Sequence, residues 1–387
     1  MKVAFYAPLK PPDHPVPSGD RKLAQALLQA LHAGGHEAWI ASRFRSFDGP
    51  GDAARQARLS HLGGRLAQRL VARYRRTFER PDVWFTYHLY HKAPDWLGPA
   101  VSRALGIPYV VAEASVAAKQ RDGPWALGYA ESVAAVRAAD ATLFLNPVDI
   151  EGVRNVRGAA EAEDLLPPFL DLAAFTGPVA PSAREASRYG ARVQLITVAM
   201  MREGAKLASY RLLAAALARI PSPAWELVVV GDGPARPEVE AAFAGIDPLR
   251  LRFVGVQPAG GIATLLRASD LFVWPAIDEA FGMAFIEAQA CGLPVVGGNA
   301  GGVAAVVAAG RTGVLVPVGD AEAFAAATRR LLLDAELRTR MGREAAAYVR
   351  ARHDLPAAAT RIDSLLRRVV RERAANAAAK GASTLAR

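Results

Sequence analysis

The chain has 387 residues, 52% of them hydrophobic, and a formal net charge of +10; that length exceeds a comfortable single core and sets an expectation of two domains. Its one cysteine, Cys291, excludes an intrachain disulfide framework and favours a reducing compartment, while Met1 to Ala7 reads as a strand rather than a secretory leader, so a cytoplasmic setting is expected. No apolar run reaches the roughly 18 residues that a membrane-spanning helix needs.

Short apolar runs alternate with helical segments throughout, the pattern of parallel βαβ units and an α/β fold. In the first half strands are expected near 2–6, 37–41, 83–87, 109–113, 142–145 and 164–167. In the second half they are expected near 194–199, 226–230, 252–254, 271–274, 294–296 and 314–316. Phe175 to Ser182 is rich in turn and breaker residues and reads as the linker. Two Rossmann-like, doubly wound domains follow, over 1–176 and 190–353, with ligands expected in a cleft beyond the carboxyl ends of the strands. An amphipathic helix over 354–373 and a frayed tail over 374–387 complete the reading.

Along the first domain, Pro17-Ser18-Gly19-Asp20 precedes a helix through Leu23, Leu27 and Leu31, and either Ser18 or Asp20 suits its cap. Ten arginines against three acids fall between Arg43 and Arg80. Over 55–80, a helical stripe of Leu59, Leu62, Leu66, Leu70, Tyr74 and Phe78 is flanked by Arg58, Arg65, Arg69, Arg73, Arg76 and Arg80. A core-facing stripe with a solvated basic rim is the favoured reading, and docking on an anionic membrane surface is the alternative. Nucleic acid is not expected, because no aromatic platform or recognition motif accompanies the charge. Tyr87-His88-Leu89-Tyr90-His91-Lys92 ends a strand with rings that stack on sugars and imidazoles that donate hydrogen bonds, so His88 and His91 are candidates for an acceptor wall. Glu113 ends the next strand and is a candidate pocket carboxylate.

In the second domain Arg202 and Lys206 flank a helix start, where cations oppose the macrodipole unless an anion binds there. Gly231-Asp232-Gly233-Pro234 is a tight turn, suited either to plain turn chemistry or to ligand contact. Glu279 and Glu287 bracket the Phe281-Gly282-Met283 turn into an apolar helix. On one continuous helix they would stand roughly 80° and about 12 Å apart. The break at Gly282 lets both face one cleft, where carboxylates accept from paired hydroxyls and free N–H groups meet phosphate.

The pattern E-x-F-G-x-x-x-x-E-A-x-A-x-G-x-P-V-V over 279–296 resembles the signature of retaining GT-B glycosyltransferases of family 4. Val228 to Pro234, Phe253 to Gly255, Ala268 to Leu271, Gly301-Gly302 and Gly310 to Val316 extend that resemblance over most of the chain. It implies a nucleotide-sugar donor held mostly by the second domain and an acceptor mostly by the first, with retention and an α-linkage. It also implies that Arg202 and Lys206 hold the donor diphosphate. This chain departs from the usual Arg-Leu start, having Met200-Met201, and its two cations are four residues apart. Glu279 with the Phe281 to Met283 main chain would orient the sugar, Glu287 would anchor ribose, and Val256 would follow a base-facing strand end. The family often has a glycine pair where only Gly19 survives here, and a histidine where Glu113 stands. The helix over 354–373 would cross back to the first domain.

Without an Asp-x-Asp pair or a His/Cys cluster, no metal is expected, and no cofactor beyond the nucleotide sugar as substrate. The expected activity is transfer of a sugar to a carbohydrate or lipid-linked acceptor, in bacterial cell-surface polysaccharide or lipopolysaccharide synthesis, at the inner face of the membrane. A sugar-nucleotide epimerase or hydrolase on the same scaffold, or a non-catalytic membrane-surface module, remains an alternative. A dinucleotide-dependent oxidoreductase is disfavoured, since the first turn, Ala7 to Pro12, has no G-x-G-x-x-G.

Overall fold

A computed structural model describes residues 1–16, 18–147, 149–158, 163–175, 192–221, 225–279 and 282–385. The chain divides into two compact units, Met1–Pro167 with Leu355–Arg387, and Pro168–Asp354. The first unit thus ends earlier than the expected residue 176, and the linker expected from 175 lies outside the described residues from 176 onward.

The first unit holds one parallel sheet of β1 (Lys2–Tyr6), β2 (Glu37–Ser42), β3 (Val83–Leu89), β4 (Tyr109–Ala114), β5 (Ala141–Phe144) and β6 (Glu163–Leu165). Their spatial order is β2-β1-β3-β4-β5-β6. The second holds β7 (Val193–Val198), β8 (Trp225–Val230), β9 (Leu251–Gly255), β10 (Leu271–Trp274), β11 (Val295–Gly298) and β12 (Gly313–Val316), in the order β12-β11-β10-β7-β8-β9. The expected α/β, doubly wound architecture is present in both. Valine, isoleucine and aromatic residues dominate the central strands, which suits strands covered on both faces. Val83 to Tyr87 and Leu271 to Trp274 are accordingly buried throughout.

The two orders place the ligand crevice of each sheet. A doubly wound sheet opens where successive connections leave in opposite directions. That point lies between β1 and β3 in the first unit and between β7 and β10 in the second.

Helices pack on these sheets for local reasons. Helix α1 (Gly19–Ala33) starts at Ser18, whose side chain accepts from the Arg21 N–H, and it buries Leu23, Leu27 and Leu31. The chain's last helix spans Leu355–Leu385 and packs against α1. It buries Ile362, Leu365, Leu366 and Val369, each contributing about 1.5–3 kcal/mol on transfer scales. Arg368 meets Asp164 at 2.6 Å and Arg373 meets Asp140 at 2.8 Å, both within the first unit. The stretch 374–385 is helical rather than a frayed tail; its run of alanines carries the highest intrinsic helix propensity.

Helix α2 (Ala53–Arg76) keeps part of the expected stripe. Tyr74 is buried, but Leu62 is 43% exposed and Phe78, beyond the helix end, is 98% exposed. The helix buries Gly63 and Ala67, and Leu66 and Leu70 of the expected stripe pack, partly buried, against the same core. A Cβ on Gly63 would lie 2.3 Å from that of Trp96, so close approach at this face has displaced a larger apolar residue.

Candidate functional site

In the second unit the carboxyl ends of β7 and β10 each feed a loop that carries a charged residue. After β7, Gly204 starts helix α6 (Ala205–Ala218), which places Lys206 in its first turn. Tyr210, one turn on, donates from its hydroxyl to the Ala199 carbonyl at 2.8 Å and packs edge-on against Trp274 at 4.9 Å. These contacts fix the helix against both strand ends.

After β10, the loop 275–279 is held by the Ile277 N–H donating to Ser209 Oγ at 3.0 Å and the Gly302 N–H donating to the Glu279 carbonyl at 3.3 Å. Ala276 and Asp278 sit at φ of 57° and 51°, a left-handed conformation that costs non-glycine residues about 1–3 kcal/mol and clusters at functional sites.

The start of α6 and the loop after β10 meet through their side chains. Lys206 Nζ lies 2.5 Å from Glu279 Oε2 and 5.5 Å from the centre of the Trp274 ring. Trp274 Nε1 donates to the same carboxylate oxygen at 3.4 Å. Lys206 is 26% and Glu279 19% exposed, so the pair is shielded on the indole side yet open to a ligand.

The remaining second-unit candidates are placed as follows. Arg202 is exposed in the loop before α6, and its carbonyl accepts from the Leu207 N–H. Gly282, at φ 64°, caps the short helix α9 (Met283–Ala290), which has no side-chain cap. Met283 and Glu287, on that helix, are 7% and 4% exposed; Phe281 lies outside the described residues. Val256, just beyond β9, is 75% exposed. Gly231 has φ 136°, and a Cβ there would lie 1.9 Å from the Ala199 carbonyl oxygen. Packing of the β8 turn against the end of β7 therefore demands glycine whether or not a ligand is bound.

The first unit carries a second constellation at its own switch point. Asp20, in the first turn of α1, lies 3.0 Å through Oδ1 from Nδ1 of His88 on β3. Burial pushes the His88 imidazole down, but Asp20, with Glu113 and Asp149 adding to it, reverses the effect and holds it above its usual range. Burial likewise raises Asp20, and the His88 contact outweighs it, so that carboxyl titrates below its usual value. Glu113, at the end of β4, is 5% exposed and accepts from the Leu145 N–H at 3.2 Å. Burial pushes it up to about 7. His88 and Glu113 both hold φ near 60°, so strained backbone marks this strand end too.

An aromatic row continues outward. His88 and Tyr90 rings lie 5.0 Å apart, Tyr90 and His91 5.2 Å, and His91 and Trp125 5.5 Å. Lys92 Nζ stands 4.4 Å from the Trp125 ring centre. Burial lowers His91, with Lys92 and Lys119 adding to it, so the two histidines are shifted in opposite directions. Gly19 opens α1, and a Cβ there would meet nothing within 4 Å.

Sequence reasoning missed three members of these groups: Trp274, which backs the Lys206–Glu279 pair; Asp20, treated as a cap when Ser18 fills that role; and Asp149. The signal for Asp20 was available, since the helix after a first strand starts at the switch point of a 2-1-3 sheet.

Residues 187–348 match the family model described as Glycosyl transferases group 1. The chain carries a glycosyl transferases group 1 domain. Lys206, Glu279 and Glu287 fall inside that domain, whereas Asp20, His88 and Glu113 lie outside it. Over 224 residues the chain is 34% identical to a D-inositol 3-phosphate glycosyltransferase of Kribbella flavida, an alignment covering 54% of this chain and 52% of the relative. The chain therefore spans about half the length of that curated relative.

The sucrose-phosphate synthase from Thermosynechococcus elongatus superposes with a TM-score of 0.72 at 21% identity, covering 95% of this chain and 99% of that one. Anabaena HepE in complex with UDP-glucose gives 0.68 at 18% identity, covering 94% and 99%. WaaG, a glycosyltransferase involved in lipopolysaccharide biosynthesis, gives 0.64 at 18% identity, covering 94% and 99%. The fold around the group 1 domain is GT-B.

Proposed function

We propose that the protein transfers a sugar from a nucleotide-sugar donor, held by the second unit, to an acceptor hydroxyl offered by the first, with retention of configuration. The observation that carries this reading is the Lys206–Glu279 pair, a cation and a hydroxyl acceptor set side by side at the switch point of a group 1 domain.

An ion pair that is about a quarter exposed is weakly held. A donor diphosphate replaces the carboxylate as the partner of Lys206, with Arg202 as the second cation, and frees Glu279 to accept from sugar hydroxyls. The unsatisfied N–H groups at the start of α9 add dipolar stabilisation to the phosphate. Glu287 anchors the ribose, and the turn at Gly231 and the main chain at Val256 line the nucleoside. This clamp uses side chains and helix ends and calls for no metal.

Two routes give retention. Double displacement needs a carboxylate nucleophile on the far face of the sugar. Same-face attack needs only positioning and stabilisation of the leaving group. In it the bond from the anomeric carbon to the diphosphate oxygen breaks, the bond to the acceptor oxygen forms, and the acceptor proton passes to the leaving phosphate oxygen. The cations at 202 and 206 suit the second route. Glu113, His88 and His91 act on the acceptor side.

The acceptor is proposed to be a carbohydrate or a lipid-linked glycan in cell-surface polysaccharide or lipopolysaccharide synthesis, a setting supported by the likeness to WaaG. No helix among the described residues is long and apolar enough to cross a membrane. Exposed Arg58, Arg65, Arg69 and Arg76 on α2, with Phe78 98% exposed beside them, fit peripheral docking on an anionic bilayer from the cytoplasm.

The activity is tested by a thermal-stability screen of nucleotide sugars, since a ligand at a hundredfold excess over its Kd adds about 2.7 kcal/mol. The anomeric configuration of the product is then read by NMR. No stabilisation by any donor, or a β-linked product from an α-donor, contradicts the reading.

A further inference from the structure

The acceptor end of the first unit has a charge pattern that bears on what it accepts. The carboxyl groups of Asp20, Glu113 and Asp149 come from α1, β4 and helix α5 (Asp149–Arg157), and each acts electrostatically on His88. Ser115 hydrogen-bonds Asp149. His88 acts on Asp20 through direct contact, and Lys10 acts on it through its charge.

A second observation points to a ligand. The Tyr87 hydroxyl is buried, with the residue 1% exposed, and it has no hydrogen-bond partner. Asp20 and Glu113 both act on it, so it lies in the same electrostatic environment. An orphaned buried hydroxyl is costly and calls for a partner. The Tyr87 ring lies 5.7 Å from that of His88, and the adjacent rings of His88 and Tyr90 offer faces of the kind that stack on sugars.

We propose that Asp20, Tyr87, His88 and Glu113 form a subsite for an uncharged polyol or sugar, and that its carboxylates select against phosphorylated acceptors. This rests on the glycosyltransferase reading above and names its acceptor class. Carboxylates are acceptor-only and suit vicinal hydroxyls, and the Tyr87 hydroxyl can both donate and accept. A phosphate brought here meets the carboxyl groups of Asp20, Glu113 and Asp149 around a histidine already engaged by Asp20, and the charge of Lys10 also acts on Asp20.

The test uses the full chain and the ring resonances of His88, assigned as those lost in His88→Gln. The probes are two matched pairs: methyl α-D-glucopyranoside with its 6-phosphate, and myo-inositol with its 3-phosphate. The uncharged member of at least one pair is expected to shift the His88 signals with at least tenfold lower Kd than its phosphate. In Asp20→Asn with Glu113→Gln that gap closes to within about threefold, and Glu113→Gln alone narrows it if the double variant does not fold. Phosphates binding as tightly as the uncharged sugars in the native protein, a gap unchanged in the variants, or no shift with any probe overturns the proposal. Failure of the donor reading is distinguishable, because it appears as no nucleotide sugar raising the melting temperature while the His88 titration stays readable.

Discussion

Lys206 Nζ and Glu279 Oε2 lie 2.5 Å apart, although 73 residues separate them in sequence, because β7 and β10 are neighbours at the switch point of the second sheet. The same geometry makes Glu279 the resident counterion of a lysine whose proposed partner is a phosphate. The two residues are therefore expected to fail differently when changed.

Lys206→Ala removes charge that matters most as the diphosphate leaves, so it should lower kcat by about a hundredfold to a thousandfold with a smaller change in donor KM. Glu287→Ala should chiefly raise donor KM, by about tenfold. Steady-state kinetics with the preferred donor separate the two; equal effects on kcat and KM in both variants would refute this division of roles.

Glu113 supplies a pH prediction. Burial raises its carboxyl to about 7 from the usual range near 4.5, so its contribution to stability is complete below about pH 4.5 and is lost as pH rises through 7. His88, also held above its usual range, works in the same direction. The linkage is about 3 kcal/mol. Glu113→Gln, which keeps an acceptor for the Leu145 N–H, should therefore gain on the native protein by about 2.5 kcal/mol between pH 5 and pH 8. Denaturant titrations at the two pH values measure it, and a gap that shrinks toward pH 8 contradicts the burial of this carboxyl.

Gly231→Ala places a methyl against the Ala199 carbonyl at a φ of 136°. The backbone must move, at a cost of about 3 kcal/mol or more, which for a unit of this size lowers Tm by roughly 6–12 °C. A calorimetric scan checks it. A loss of donor affinity without loss of Tm would assign Gly231 to ligand contact rather than to packing.

For the basic helix, changing Arg58, Arg65, Arg69 and Arg76 together to Gln should remove about 1 kcal/mol of anionic-membrane attraction per residue. Phe78→Ser should weaken binding with little change in its salt dependence. Co-sedimentation with phosphatidylserine vesicles at two ionic strengths reads both. Arg73 and Arg80 are left out because Arg73 pairs with Glu79 and Arg80 donates to the Leu105 carbonyl at 2.7 Å.

The twelve strands were legible because each is a short apolar run closed by a turn signal, and a buried parallel strand has little other way to be encoded. Lys206, Glu279 and Glu287 were legible as a motif, but their pairing was not, since contact between loops of different strands depends on sheet order. The Asp20–His88 pair was hidden for the same reason, and because Ser18 and Asp20 compete locally for one capping role that only geometry assigns. The exposure of Phe78 was invisible because a helical stripe carries no mark of where its helix stops: Thr77 ends α2 in extended backbone, and Phe78 leaves the buried face. The tail was misread because composition suggested fraying where alanine continues a helix already anchored by Ile362 to Val369.

The central claim is that the nucleotide sugar sits at the switch point of the second unit. Its most direct test is calorimetric titration of the donor chosen by thermal screening into the native protein and into Glu279→Ala with Glu287→Ala. One site per chain in the native protein and at least a hundredfold weaker binding in the double variant are predicted; equal affinity in the two proteins would contradict it.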